Sequence, residues 1–83
     1  SHAFFDIAFP EVVSHLIRAL KDEDENLRKN VIDVLGYIDS PKAVPHLIRF
    51  LRDKNEAIRE KAAEALGVSQ PTIARRLKKY SGR

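Results

Sequence analysis

Pro10–Gly36, PEVVSHLIRALKDEDENLRKNVIDVLG, is followed by Pro41–Gly67, PKAVPHLIRFLRDKNEAIREKAAEALG. The second stretch lies 31 residues after the first without a gap, and twelve of the 27 aligned positions are identical. A period of this length signals stacked helical hairpins. Each unit leaves one apolar face that only a neighbour can bury, so repeats of this kind build surfaces rather than catalytic pockets.

Within each repeat the apolar residues recur at helical spacing. Val13, Leu16, Ile17 and Leu20 form one stripe, and Val44, Leu47, Ile48 and Leu51 repeat it. Pro10 and Pro41 suit a first helical turn, where the missing N–H has no partner to lose. A polar turn follows, and Asp24 and Asn55 are expected to cap the second helices. In those helices Leu27, Val31, Val34 and Leu35, then Ile58, Ala62, Ala65 and Leu66, are expected to face the core. Gly36 and Gly67 are placed as helix stops in the left-handed conformation. AFFDIAF, residues 3–9, reads as a capping helix over the first hairpin or, alternatively, as a self-association surface.

The chain has 83 residues, enough for one domain. No apolar run reaches the roughly 20 residues that span a bilayer, and the N-terminus lacks the layout of a secretion signal. The absence of cysteine excludes disulfides and thiolate metal sites and fits a cytoplasmic, intracellular protein. With no methionine in the sequence, Ser1-His2 reads as a tag remnant and the rest is compatible with a fragment of a longer chain. Residues 1–67 carry ten Lys/Arg against twelve Asp/Glu, whereas residues 68–83 carry Arg75, Arg76, Lys78, Lys79 and Arg83 with no acid. A cationic end on a mildly acidic body points to a polyanion, or simply to a solvated basic helix end favoured by the helix dipole.

The hairpins resemble HEAT-like repeats of the short, lyase-associated type. The resemblance covers residues 10–67 and rests on VxHLIxxL in the first helix, an Asp in the turn, an apolar-Arg pair and a helix closing on Leu-Gly, each occurring twice in register. It implies an all-α fold of two stacked hairpins, a right-handed α-solenoid fragment, with 10–36 and 41–67 as repeats, to which the apolar opening adds residues 1–9 as an expected N-terminal cap. It also implies that Asp22, Arg28, Asp53 and Arg59 help tie adjacent repeats together, and that the repeat surface receives a protein partner.

Beyond Gly67 the pattern changes. REKAAEALGVSQPTIARRLKKY resembles a helix-turn-helix of the Fis type, with Ala63, Gly67, Val68, Thr72, Ile73, Leu77 and Tyr80 in the expected places. Ile73, Leu77 and Tyr80 would share a buried face. The resemblance makes residues 68–83 a recognition-type helix for duplex DNA in transcriptional regulation. Gln70 and Arg75 would read base edges, Thr72, Arg76, Lys78 and Lys79 would meet phosphates, and Ser69 and Pro71 would start the helix. Such motifs usually act as dimers, which makes a homodimer an expectation too. The alternative is a HEAT module whose residues 70–80 are only a cap.

Catalytic and metal constellations do not assemble. His15 and His46 share a repeat position, which favours a structural role. Asp22-Glu23-Asp24-Glu25 lacks the glycine and ligand spacing of a calcium loop. No nucleophile–base set and no phosphate loop occurs, so neither an enzyme nor a cofactor is expected.

Overall fold

The computed structural model describes residues 3–67, which form five α-helices and one 3-10 turn. α1 (Phe4–Ala8) precedes a hairpin of α2 (Pro10–Ala19) and α3 (Glu25–Ile38). A 3-10 turn (Pro41–Ala43) then leads into α4 (Val44–Phe50) and α5 (Glu56–Leu66). The described residues contain no strand. The fold is all-helical: α2 packs on α3 and α4 on α5, while the two second helices, α3 and α5, meet side by side in the most extensive contact.

Both second helices start on the expected caps. Asp24 Oδ1 accepts from the N–H of Asn26 (2.9 Å) and Leu27 (3.3 Å), and Asn55 Oδ1 accepts from Ala57 (2.8 Å) and Ile58 (3.2 Å). Each cap satisfies donors that the helix itself leaves unpaired. The same turns are tied down by the repeated Asp and Arg. Asp22 Oδ1 accepts from the Asp24 N–H and Asp53 Oδ2 from the Asn55 N–H. Arg28 Nη1 donates to the carbonyls of Asp22 (2.7 Å) and Glu23 (3.0 Å), and Arg59 Nη1 to those of Asp53 (2.7 Å) and Lys54 (3.1 Å). A fork of donors suits this task because the last carbonyls of the first helix and its turn have no helical partner. These bonds stay inside one hairpin.

The core is shared by both repeats. Leu20, Val31, Ile32 and Leu35 from the first pack with Ala43, Leu47 and Ile58 from the second. Val13 is also fully buried. The expected stripes need correcting at their margins. Leu27 and Val34 are 38% and 44% exposed, and Val44 and Ile48 are 38% and 48% exposed. These residues stand at the margins of the packed faces, where neighbouring elements cover only part of each side chain.

The two first helices differ in form. α2 runs unbroken from Pro10, whereas Pro41 opens a separate 3-10 turn before α4. Pro45 stands where the first repeat has Ser14. It has no N–H to give to the Pro41 carbonyl, so the α-helical ladder restarts at Val44.

The repeated glycines also part company. Gly67 ends α5 in the left-handed region (φ 71°), as expected. Gly36 does not end α3, which continues to Ile38 and closes on Asp39 in the left-handed region (φ 56°). The Ser40 N–H reaches back to the Leu35 carbonyl (3.4 Å) to complete the cap. Gly36 is required instead by contact. A Cβ there would lie 2.7 Å from both Cα and Cβ of Ala65 on α5.

α1 is held by Asp6, whose carboxylate accepts from the Ser40 hydroxyl and from the Lys42 N–H (2.9 Å) in the connection between the hairpins. Phe4, Phe5 and Phe9 pack ring against ring, Phe5 edge-to-face with Phe4 at 5.3 Å and tilted to Phe9 at 5.6 Å between centroids. Lys61 on α5 pairs with Asp33 on α3 at 3.0 Å. That hydrogen bond, with the Asp33 charge, holds the ammonium above its ordinary value of 10.5.

Two predictions separate these roles. Gly36→Ala is expected to force α3 and α5 apart and to cost about 1–3 kcal/mol. Gly67→Ala meets no atom but must hold a left-handed backbone, at about 1–2 kcal/mol. In urea unfolding Gly36→Val should therefore be far worse than Gly36→Ala, while Gly67→Ala and a larger unbranched residue at Gly67 should match. Arg59→Met, which keeps the stem and removes the donors, should lose about 1–3 kcal/mol in the same assay, and more than Arg28→Met, whose turn is the more exposed.

Candidate functional site

The first helices end side by side, and a cleft of about 240 Å³ opens between their C-terminal turns. Ile17 and Leu20 from the first repeat and Phe50 from the second supply its apolar surface. Phe50 stands where the first repeat has Ala19, so only the second repeat projects a ring here. Lys21 brings a cation from the α2 side, and Arg49 and His46 line the α4 side. Asp53 also lines the cleft, with one carboxylate oxygen already engaged by the Asn55 N–H.

Backbone position explains the cations in part. Arg18 and Arg49 sit in the last turns of α2 and α4, where the helix dipole favours positive charge. Each is steered by the histidine three residues before it. Arg18 Nη2 lies 2.9 Å from His15 Nδ1, and Arg49 Nη2 lies 3.2 Å from His46 Nδ1. A guanidinium can only donate, so Nδ1 is the acceptor in each of these contacts. The repeated His is thus an orienter of the repeated Arg. A second, shallower depression on α2, lined by Pro10, Glu11, Ser14, His15 and Arg18, repeats the His–Arg pair without an aromatic wall.

The residues singled out in the sequence fall in two groups. Asp22, Arg28, Asp53 and Arg59 lie in the two turns, where they hold the backbone, and Asp53 alone also lines the cleft. Ser69, Gln70, Pro71, Thr72, Arg75, Arg76, Lys78 and Lys79, with the rest of the proposed recognition helix, lie outside the described residues. The cleft is not evident in the repeat pattern. Its signal was the comparison of the repeats at Ala19 and Phe50, and the HxxR pair written twice.

Among the described residues no group of three or more His, Asp or Glu could hold a metal ion. Nor is any described helix long and apolar enough to cross a membrane.

Comparison with known proteins agrees with this geometry. The pattern of HEAT repeats matches residues 6–76. No curated protein and no solved structure matches the chain at a comparable level. Since the matched span covers most of the sequence and includes both hairpins, the chain belongs to the HEAT-repeat family.

Proposed function

We propose that the chain is a non-enzymatic scaffold, a right-handed α-solenoid fragment, whose cleft between α2 and α4 docks a short acidic segment of a protein partner. Stacked helical repeats offer extended surfaces for partners. The observation that carries the reading is the cleft: an apolar floor of Ile17, Leu20 and Phe50, with Lys21 and Arg49 on opposite sides. An aliphatic or aromatic side chain would fill the floor while a neighbouring carboxylate meets the cations. The two cations face the partial negative charge of the helix ends beneath them and the Asp53 carboxylate, one oxygen of which is already engaged by the Asn55 N–H.

Labelled peptides carrying Leu or Phe flanked by glutamates test this, compared with the same peptides flanked by lysines. The acidic series is expected to bind, more weakly as salt rises. Lys21→Glu and Arg49→Glu, both at exposed positions, are each expected to weaken it on the order of tenfold or more. Equal affinity for the two series, or indifference to both charge reversals, would overturn the reading.

A second reading has its own observation, the five cations without an acid in residues 68–83. Here Ser69–Lys79 bind duplex DNA as the recognition element of a helix-turn-helix in transcriptional regulation. Gln70 and Arg75 contact bases, and Thr72, Arg76, Lys78 and Lys79 contact phosphates. Affinity for a short duplex should then fall steeply with salt, since neutralised phosphates release counterions. Arg75→Ala should cost about 1–3 kcal/mol on a preferred site and little elsewhere. Binding that is absent in dilute buffer, or that ignores Arg75 on every sequence, counts against it.

A further inference from the structure

The repeat register shows which residues of the second hairpin are used to meet the first, and therefore which residues of the first stand ready to meet something else. Ala43, Ile58 and Ala65 take part in the contact between repeats. Ala43 and Ile58 are fully buried in the shared core, and Ala65 sits against Gly36. Thirty-one positions earlier stand Val12, Leu27 and Val34, which are 52%, 38% and 44% exposed. The first hairpin thus carries the same apolar face in the same register, with valine in place of alanine at 12 and 34, but about half open to solvent. Tyr37, 91% exposed, lies one turn beyond Val34 on α3. Among the described residues, seven exposed large apolar side chains precede residue 40 and only Val44 and Ile48 follow it. On α3 itself Leu27, Val34 and Tyr37 leave uncovered apolar surface, and a patch of that kind marks an interface.

Charge decides what fits there. In the contact between repeats, Lys61 pairs with Asp33. The position equivalent to Lys61 is Asn30, so the open edge has lost its cation. Head-to-tail stacking of another copy would bring the outer row of α5 onto this edge. That row holds Glu56, Glu60 and Glu64, all exposed, and Asn30 offers no positive charge to meet them. A two-fold contact avoids the difficulty. Each copy then presents the same uncharged face, apolar residues meet apolar residues, and nothing on the axis repels its own image.

We infer that the edge of α3 formed by Leu27, Asn30 and Val34 is a two-fold self-association interface, whose occupant is the α3 of a second copy of this chain. The two helices run antiparallel, Leu27 of one facing Val34 of the other, with Asn30 close to the axis. The inference is independent of the cleft and of residues 68–83.

Sedimentation equilibrium of the full chain over a range of concentrations is the test. A mass twice that of the 9.5 kDa chain is expected at high concentration. Leu27→Glu and Val34→Glu, at positions exposed in the single chain, should each weaken dimerisation on the order of tenfold or more while far-UV circular dichroism is unchanged. Ile48→Glu should leave the mass unchanged. Because the chain has no cysteine, Asn30→Cys gives a second readout: mild oxidation should link two copies through this residue, whereas Glu60→Cys should stay unlinked. A monomer at every concentration, a dimer insensitive to both glutamates, or linkage at residue 60 rather than 30 would overturn the inference.

Discussion

The approach of α3 to α5 at Gly36 sets how the two hairpins stand against each other. Ala65 occupies the space that a side chain at 36 would fill, so the two second helices touch nearly backbone to backbone at that point. Glycine inside a helix costs about 1 kcal/mol relative to alanine. Here that cost is offset by close packing along the contact, since Ile58 can then reach the layer formed by Val31, Ile32 and Leu35. Once α3 and α5 are fixed, the short turns leave α2 and α4 little freedom. Their C-terminal ends come together, and the cleft between them follows from a contact made on the other helices.

The turns transmit this geometry. An Asp side chain holds the N–H of the cap residue, the cap holds the helix N-terminus, and an Arg one turn into that helix reaches back to the carbonyls of the turn. Every part of this loop is polar and local, so it specifies the hairpin angle without drawing on the core. The core is then free to differ between repeats. Val31 and Ile32 become Ala62 and Ala63, yet both hairpins keep the same turn.

Much of the fold is legible in the sequence because it depends on local rules repeated in register. The helical stripes, Asp24 and Asn55 as caps, and Gly67 as a left-handed stop are all dictated by residues within a few positions of one another. Gly36 shows where such reading fails. At the same repeat position as Gly67, it is needed for a contact with a helix nearly thirty residues away, and Asp39 takes over the left-handed role. Asp and Asn tolerate that conformation better than other side chains. The exposed edge residues fail for a related reason. A stripe says that a face is apolar but not whether a neighbour is there to cover it. The cleft was hidden because it is made by a difference between repeats, Phe50 for Ala19, whereas repetition draws the eye to what is shared.

That distinction also explains how the chain divides its labour. Identical positions, such as the Asp and Arg of the turns and the His–Arg pairs, are those that every hairpin needs in order to form and to orient its outer cations. Positions that differ mark where the hairpins meet unlike surroundings. Lys61 has Asp33 beside it, and Asn30 has no second-helix neighbour among the described residues. Ala43 and Ala65 are small because another helix lies against them, and Val12 and Val34 are larger because none does. In a repeat array a residue's departure from its counterpart therefore carries information about its neighbour. Two of these departures fall on open surface, Phe50 for Ala19 beside the cleft and Asn30 for Lys61 on the edge of α3.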